Sequence, residues 1–278
     1  MDPLQTVPTI PDLIDIWQQA LESVADLADD VTDEQWQAAT PCPGWTVADV
    51  VSHLVDLEEM LAGAPRPDHE PDWAALPHAT GDFGRFTEIG VDYRRGRSRE
   101  AVVNELRAAI AARRPQLDAV PDGAEVMGVM GRPITMDRLL RMRIFDSWVH
   151  EQDIRAAIGR DGGWGTLPAT IAFQQAAKAI PVVWSRTVRA QPGDVVHVSV
   201  TGPELEADID ADVDETGRGR PCPPVAHPAV SLTVSWPDLM RLTNGRIAVD
   251  DAALRSRISL TGEPALAEAL LPALSIAP

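Results

Sequence analysis

Two histidines and one aspartate in this sequence have the residue types and the spacing of a metal centre. His53 lies in the middle of the amphipathic segment 46–61, where neither helix capping nor burial requires an imidazole. Asp146 and His150 are four residues apart in a second amphipathic segment, so on a helix their side chains share one face. Two imidazole nitrogens and a carboxylate oxygen are the ligands of an open zinc site, in which water or substrate takes the remaining position.

The same residues also have an ordinary structural interpretation. An aspartate and a histidine at positions i and i+4 form a solvated surface pair in many helices, worth roughly a few tenths of a kcal/mol. The spacing does not establish whether the helix with His53 faces the helix with Asp146 and His150. The other histidines lie in predicted loops or on a predicted strand and are weaker candidate ligands: His69, His78, His197 and His227.

The segments that position these residues belong to a helical half of the chain. Apolar residues recur at helical spacing after Pro11, after Thr46, over 98–117, over 136–159 and over 167–190. Thr46 with Asp49 forms a capping box, and glycines at 63 and 159 are typical helix ends. Long amphipathic helices joined in this way predict a helical bundle over residues 1–190, with a bend near Pro181.

The pattern changes near residue 194 from a helical period toward alternation. The stretches "VVHVSVTG", "LEADIDADV", "AVSLTVSW" and "SRISLTG" predict strands, and "WPDLMRLTNG" and "EPALAEALLPAL" predict helices. With "QPGD" at 191–194 as the linker, residues 194–278 form a predicted small α+β domain. The fold class that we expect is therefore α+β with two domains.

Charge and cysteine content exclude several classes of function. The chain of 278 residues has a formal net charge of −18, so nucleic acid and anionic membranes are disfavoured as partners. Cys42 and Cys222 have neighbouring prolines and form neither a disulfide framework nor a CxxC metal site, which favours a reducing, intracellular setting. The N-terminus has no signal-peptide pattern, and no apolar run approaches the roughly 20 residues of a membrane span. We expect a cytoplasmic protein.

Four stretches resemble one known family. "VTDEQWQAATPCPGWTVADVVSHLVDLEE" and "RIFDSWVHEQDIRAAIGR" resemble the N-terminal domain of the mycothiol-dependent maleylpyruvate isomerase family, which belongs to the DinB-like metal-binding four-helix bundles. "WPDLMRLTNGR" and "ISLTGEPALAEALLPAL" resemble the small α+β domain of that family, which is similar to sterol-carrier domains. The resemblance covers nearly the whole chain.

The resemblance implies a set of site residues. It implies that His53, Asp146 and His150 bind a divalent metal, most often zinc, and that Arg246 faces the metal cleft and holds a carboxylate or an enolate. The family pattern has Glu where this sequence has Asp146, which is shorter by one methylene and puts the identity of the metal in question. Separately from the resemblance, Asp49 and Asp56 each lie one turn from His53 and are candidates to orient its ring, while solvated surface positions are the alternative.

The implied function is that of a metal-dependent enzyme that uses mycothiol. The metal would hold the thiol as a thiolate, which attacks a small electrophile, either in an isomerisation or in an S-transfer. An alternative of another class is a noncatalytic protein that binds a small apolar molecule and has a structural metal. A third interpretation is a regulator that senses thiols through Cys42, although that thiol also fits the role of a small buried apolar group.

Overall fold

The structure is a computed structural model that describes Leu4 and residues 7–121 and 123–276. By packing contacts these residues form two compact units. The helical unit contains residues 7–163 and 167–172, and the sheet unit contains Leu4 and residues 164–166 and 173–276. The termini of the two predicted domains, at residues 1–3, 5, 6, 277 and 278, lie outside the described residues, as does residue 122. The mixed helix and sheet content confirms the α+β class.

The helical unit is built on four long helices. Their bounds are α1 Ile10–Asp29, α3 Val47–Leu61, α5 Arg99–Asp118 and α6 Met136–Ile158. Between them lie α2 Asp33–Trp36, α4 Gly81–Arg94 and the hairpin strands β1 Glu125–Met127 and β2 Pro133–Thr135. The helix α1 packs on α5 and α6, and α3 packs on α4, α5 and α6.

Capping residues that can be recognised in the sequence determine where these helices begin and end. Thr9 and Thr46 form reciprocal capping boxes with the residues three positions later, and the side chain of Thr135 caps α6. Gly159 ends α6 in the left-handed conformation with φ of 65°. Four of the long helices predicted for the helical half of the chain, α1, α3, α5 and α6, are thus confirmed.

The core of the helical unit is apolar side chains from the predicted faces. Leu13, Trp17 and Leu21 of α1 and Leu54 of α3 are completely inaccessible to solvent. They belong to one buried cluster with apolar residues of α5 and α6, including Leu106, Leu140 and Ile144. Burial of these faces against one another stabilises the bundle, since each apolar Å² removed from water contributes about 25 cal/mol. The bundle is therefore a rigid support for polar groups on the same helices.

The sequence did not predict α4 or the β1–β2 hairpin. The helix α4 contains three glycines, each of which disfavours a helix by about 1 kcal/mol relative to alanine. Packing on α3 outweighs this propensity, because Gly90 lets the two helices approach closely. The hairpin strands have only three residues each, too short for an alternating pattern to be distinctive.

The sheet unit contains a five-stranded sheet in the order β5-β4-β3-β6-β7. The strands are β3 Val195–Thr201, β4 Ala207–Val213, β5 Gly219–Pro221, β6 Val230–Ser235 and β7 Ser259–Gly262. The central pair β3 and β6 is parallel, and the other neighbours are antiparallel. Alternate residues of the central pair are buried, as the period of two requires: Val196, Val198, Val200, Val230, Leu232 and Val234.

Three helices complete the sheet unit: α8 Trp236–Thr243, α9 Ala252–Arg257 and α10 Pro264–Ala273. The two predicted helices are confirmed as α8 and α10, and the four predicted strands as β3, β4, β6 and β7, whereas α9 and the short strand β5 were not predicted. A further helix, α7 Leu167–Val182, continues into a π-helical turn at Val183–Thr187, close to the predicted bend at Pro181.

The compact units divide earlier in the chain than the linker predicted at 191–194. The second half of α7, from Phe173 onward, belongs to the sheet unit. The ring of Phe173 packs edge-on against Trp236 of α8, with ring centroids 5.1 Å apart. This aromatic contact is tertiary, so the sequence pattern could not reveal it, and it attaches the second half of α7 to the sheet unit. The predicted domain ranges, 1–190 and 194–278, remain predictions about independent domains.

None of the helices in the described part of the chain combines the length and the apolar character that crossing a bilayer requires.

Two glycines of α4 give a direct test of the packing between α3 and α4. A Cβ atom at Gly90 would lie 2.0 Å from Cγ of Asp56, whereas a Cβ at Gly84 would come no closer than 3.6 Å to other atoms. We expect Gly90→Ala to lower the free energy of unfolding by about 1–3 kcal/mol, the usual effect of overpacking. Gly84→Ala, the matched control, should raise it by up to about 1 kcal/mol through helix propensity. Urea denaturation followed by circular dichroism measures both, and equal effects would contradict the close contact.

Candidate metal centre

The structure brings His53 of α3 together with Asp146 and His150 of α6. Nε2 of His53 is 3.4 Å from Oδ2 of Asp146, and Nε2 of His150 is 3.7 Å from Oδ1 of the same carboxylate. The two imidazole rings have centroids 4.9 Å apart and planes inclined by 70°. One potential ligand atom from each of the three residues lies within 4.8 Å of the other two. The three side chains therefore converge on one point between the helices.

The ring of His53 is buried and its two nitrogens have no hydrogen-bond partner among the described residues. The residue is only 4% exposed. Burial lowers the pKa of His53, against the opposing charge of Asp146, which keeps the imidazole neutral and a lone pair available. A buried polar group without a partner costs about 1–3 kcal/mol, and a metal ion on this ring would remove that penalty. The donor set thus fits a divalent metal.

His150 is oriented by Asp153, a residue whose role the sequence did not reveal. Nδ1 of His150 is 3.0 Å from Oδ2 of Asp153, which is itself buried. Because a carboxylate only accepts, Nδ1 carries the proton of this hydrogen bond, and Nε2 is the ring nitrogen on the side of Asp146. The signal in the sequence was an aspartate three residues after a histidine on a helix, which is the spacing of a same-face contact.

A chain of buried ion pairs holds the carboxylate of Asp146. Arg143 donates from Nη1 to Oδ2 of Asp146 at 2.7 Å and from Nε to Oε1 of Glu58 at 2.8 Å. Glu58 also accepts from Arg113 of α5. Burial alone would raise the pKa of Asp146, but opposing interactions, of which the charge of Arg143 is the largest, hold the pKa well below its ordinary value. Asp146 is therefore ionised and fixed in position.

Asp49 and Asp56, the candidates to orient His53, are buried and form hydrogen bonds to other groups, so neither the orienting role nor the solvated position is observed. Asp49 accepts from the backbone and hydroxyl of Thr46, which begin α3, and from Nε of Arg95 at 2.9 Å. Asp56 accepts from Nη2 of Arg66 at 2.7 Å. Both carboxylates are engaged by arginines from outside α3, whose positions could not be read from helical spacing.

Trp45 covers the two imidazole rings. Its ring centroid lies 4.9 Å from that of His53 and 5.7 Å from that of His150. Its Nε1 donates to Oε2 of Glu88 at 2.8 Å, which fixes the indole in this position. Trp45 is 9% exposed and shields the rings from water on one side. Its sequence neighbour in the motif "PCPGW", Cys42, has its sulfur within 4.8 Å of ligand atoms of His150 and Asp153.

Arg246, the other predicted site residue, lies in the sheet unit just after α8. Its Nη1 donates to the backbone carbonyl of Asn244 at 2.8 Å. Its predicted role toward a substrate stays a prediction, as does metal binding by the three residues of the helical unit.

Comparisons with known proteins identify relatives of the chain. Residues 17–155, half of the chain, match the family model of the mycothiol maleylpyruvate isomerase N-terminal domain. An uncharacterized protein present in two strains of Mycobacterium tuberculosis is 25% identical over 127 residues, which are 45% of this chain and 48% of that protein. The chain thus spans about half the length of the curated relatives that it matches.

Solved structures share the fold. The crystal structure of the mycothiol-dependent maleylpyruvate isomerase superposes with a TM-score of 0.56 at 16% identity, covering 89% of this chain and 93% of that one. A histidine-to-alanine mutant of the same enzyme gives a TM-score of 0.57 at 15% identity, covering 94% and 96%. At this identity the likeness establishes a common fold and nothing finer.

The buried carboxylate of Glu58 makes the stability of the fold depend on pH. Burial alone would raise the pKa of Glu58, but Arg113 and Arg143 outweigh it and lower the pKa. A carboxyl with a lowered pKa stabilises the fold above its unfolded pKa of about 4.3, and this contribution is lost as the pH falls through the folded pKa. We expect Glu58→Gln to lower the free energy of unfolding by about 3–5 kcal/mol at pH 7, because it removes the carboxylate partner of the buried Arg113 and leaves the buried Arg143 with Asp146 alone.

The difference between wild type and Glu58→Gln should therefore shrink in urea denaturations carried out below about pH 4. Glu34→Gln is the control, since Glu34 is exposed on the short helix α2 and should change stability by less than about 0.5 kcal/mol. A constant difference from pH 7 to pH 3 would contradict the assigned ion pairs.

Proposed function

The chain belongs to the mycothiol maleylpyruvate isomerase family, and on this premise we propose that it is a metal-dependent enzyme that uses mycothiol as thiol cosubstrate. Its substrates are small electrophiles, which it isomerises or joins to sulfur. The observation that supports this proposal most is the ring of His53, which is buried without a hydrogen-bond partner in the described residues, beside Asp146 and His150. A buried imidazole without a partner is unfavourable, and a metal ion held by these three residues would remove that cost.

The distances in the site support a direct contact by Asp146 in spite of its shorter side chain. Ligand atoms bound at about 2.0–2.1 Å to a tetrahedral ion lie about 3.3 Å from one another. The carboxylate oxygens are already 3.4 Å and 3.7 Å from the two Nε2 atoms. Zinc suits two imidazoles and a carboxylate, and it is the ion that we propose. A bound zinc ion stabilises the thiolate form of a coordinated thiol, which provides a nucleophile at neutral pH.

The residues of the chain have separable tasks in this proposal. His53 and His150 would supply imidazole nitrogens, and Asp153 holds the second ring through Nδ1, with Nε2 on the side of Asp146. Arg143 holds Asp146 in place and balances its charge. Trp45 excludes water from one side of the rings, which strengthens electrostatic interactions there.

The isomerisation and the S-transfer share their first step. The thiol loses its proton to solvent, and its sulfur forms a bond to an electrophilic carbon while the π electrons of the substrate move to a carbonyl oxygen. In an isomerase, rotation about the former double bond is followed by cleavage of the carbon–sulfur bond, which returns the thiol. In a transferase, a proton from solvent completes the adduct, which leaves as product. Arg246 is proposed to pair with the anionic oxygen of the substrate.

Metal content tests the ligand assignment. Asp146→Ala should lose most of the bound metal, because it removes the anionic ligand, whereas Asp146→Glu should retain it. His69→Ala is the control, since His69 pairs with Asp92 outside the site. Elemental analysis of purified variants, with cooperative thermal unfolding as the check on folding, makes the measurement. Equal metal in wild type and Asp146→Ala would exclude Asp146 as a ligand.

Binding of mycothiol tests the function. Calorimetry in two buffers of different ionisation enthalpy should show that one proton is released on binding to metal-loaded protein, because the thiol binds as thiolate. The affinity should rise as the pH approaches the pKa of the thiol, near 8.5. Metal-stripped protein should bind far more weakly. Equal affinity in both forms without proton release would favour the noncatalytic binding protein instead.

The same calorimetric assay, together with a measurement of turnover, distinguishes the role of Arg246 from that of the metal ligands. Arg246→Ala should leave mycothiol binding and proton release unchanged, because we assign it to the oxygen of the second substrate that becomes anionic, and should lower turnover of unsaturated carbonyl electrophiles by about tenfold or more. A loss of mycothiol affinity in Arg246→Ala would contradict this assignment.

A further inference from the structure

A cavity of about 290 Å³ in the helical unit borders the candidate metal centre. It lies between α6, the turn of the β1–β2 hairpin and residues of α3 and α4, and Asp146 forms part of its wall. Most of its other walls are apolar side chains: Phe83, Val129, Met130, Ile134, Met142 and Phe145. A concave apolar space with a few polar groups is the usual form of a small-molecule site.

Three of the apolar side chains in this cavity are unusually exposed for their size. Met130 is 52% exposed, Met142 is 42% exposed and Phe83 is 40% exposed. Large apolar groups that gather on an exposed concave surface indicate a ligand or partner. Methionine side chains are flexible and polarizable, so they adapt to apolar ligands of different shape.

Two arginines at the cavity, Arg132 and Arg138, have no carboxylate partner in the part of the chain that the structure describes. Both line the cavity and both are exposed, and neither makes a salt bridge to any residue in the described part of the chain. Other arginines of the unit, such as Arg94, Arg95 and Arg107, each contact at least two carboxylates. In a chain with a net charge of −18, unpaired arginines beside an apolar cavity favour an anionic ligand.

The positions on α6 give the dimensions of that ligand. Arg138, Met142 and Asp146 follow one another at intervals of four residues and line the same cavity. At 1.5 Å per residue, the eight positions from Arg138 to Asp146 span about 12 Å along the helix axis. The cationic end and the metal-centre end of the cavity are thus separated by an apolar stretch.

The end near Asp146 is where a ligand can reach the metal centre. The side chain of Asp146 is 31% exposed, whereas those of His53 and His150 are 5% and 7% exposed. Arg143 also lines the cavity, and its Nη2 has no hydrogen-bond partner among the described residues. A ligand with an oxygen at this end would provide an acceptor for that donor.

We propose that this cavity binds the electrophilic substrate, and that the substrate is an elongated monoanion with an apolar body. Its carboxylate pairs with Arg132 and Arg138, its apolar body lies on Met130, Met142 and Phe83, and its reactive end reaches Asp146. The identity of this ligand as the substrate rests on the function proposed above, whereas its binding to the cavity does not. The cavity selects for length and apolar character, which sets it apart from a site for small polar acids.

Decanoate is a suitable probe, because it has a carboxylate, an apolar chain of about the required length and no reactive group. We expect it to bind metal-stripped and metal-loaded protein in calorimetry below its micellar concentration, while decylamine binds at least about tenfold more weakly. The double variant Arg132→Gln/Arg138→Gln should lose about tenfold in affinity for decanoate and little for decanol. Arg160→Gln, which removes an exposed arginine outside the cavity, should change neither affinity.

Met142→Glu tests the apolar wall. It should weaken decanoate and decanol together, because it places a charge in the middle of the cavity, and its melting temperature checks that the variant folds. Undetectable binding of decanoate, equal binding of decylamine, or no effect of the arginine replacements would overturn the proposal. Sedimentation of wild type and Met142→Glu detects the alternative occupant: a dimer that this substitution dissociates would show that the face binds a second copy, which would also overturn it.

The cavity and the proposed function can fail separately. Metal content and the release of a proton by mycothiol are measured on the same preparations. Decanoate binding that depends on the two arginines, in protein without metal or mycothiol binding, would support the cavity and contradict the enzyme. Metal and mycothiol binding without decanoate binding would do the reverse.

Discussion

The candidate metal centre depends on a continuous chain of buried charges, from Arg113 through Glu58 and Arg143 to Asp146. These groups come from α5, α3 and α6, and the first three are at most 3% exposed. An unpaired buried charge costs several kcal/mol, so each of these ions is tolerable only when its partners are in place. The register of the three helices is therefore fixed by electrostatics as well as by apolar packing. That register sets the position of the carboxylate of Asp146.

The same principle explains why an acidic chain places its arginines inside the bundle. Asp49, Asp56 and Glu88 are buried carboxylates around α3, and each one contacts an arginine. Beside these ion pairs, both nitrogens of His53 and Nη2 of Arg143 have no hydrogen-bond partner in the described residues. Departures from full hydrogen bonding of this kind are a familiar property of functional sites.

The sequence predicted those parts of the molecule that depend on local interactions. Capping by Thr46, the left-handed Gly159 and the alternation of Val196, Val198 and Val200 are properties of short segments, and the structure has them. The meeting of His53 with Asp146 could be proposed only through the family resemblance, because helical spacing carries no information about a second helix. Contacts between different segments were not predicted. They include the hydrogen bonds of Arg95 to Asp49 and of Arg66 to Asp56. They also include the packing of Trp45 on His53 and of the helix α4 on α3.

The order of strands in the sheet unit has a consequence for how the chain behaves in a crowded solution. Its long strands β3, β4 and β6 occupy the interior of the sheet, and its edges are β5, with three residues, and β7, with four. The edge strand β5 also ends at Pro221, which has no N–H to offer. Short edges with a proline present few unpaired backbone groups, so they give another chain little template for adding a strand. The arrangement protects the apolar valines of the central strands from edge-to-edge aggregation.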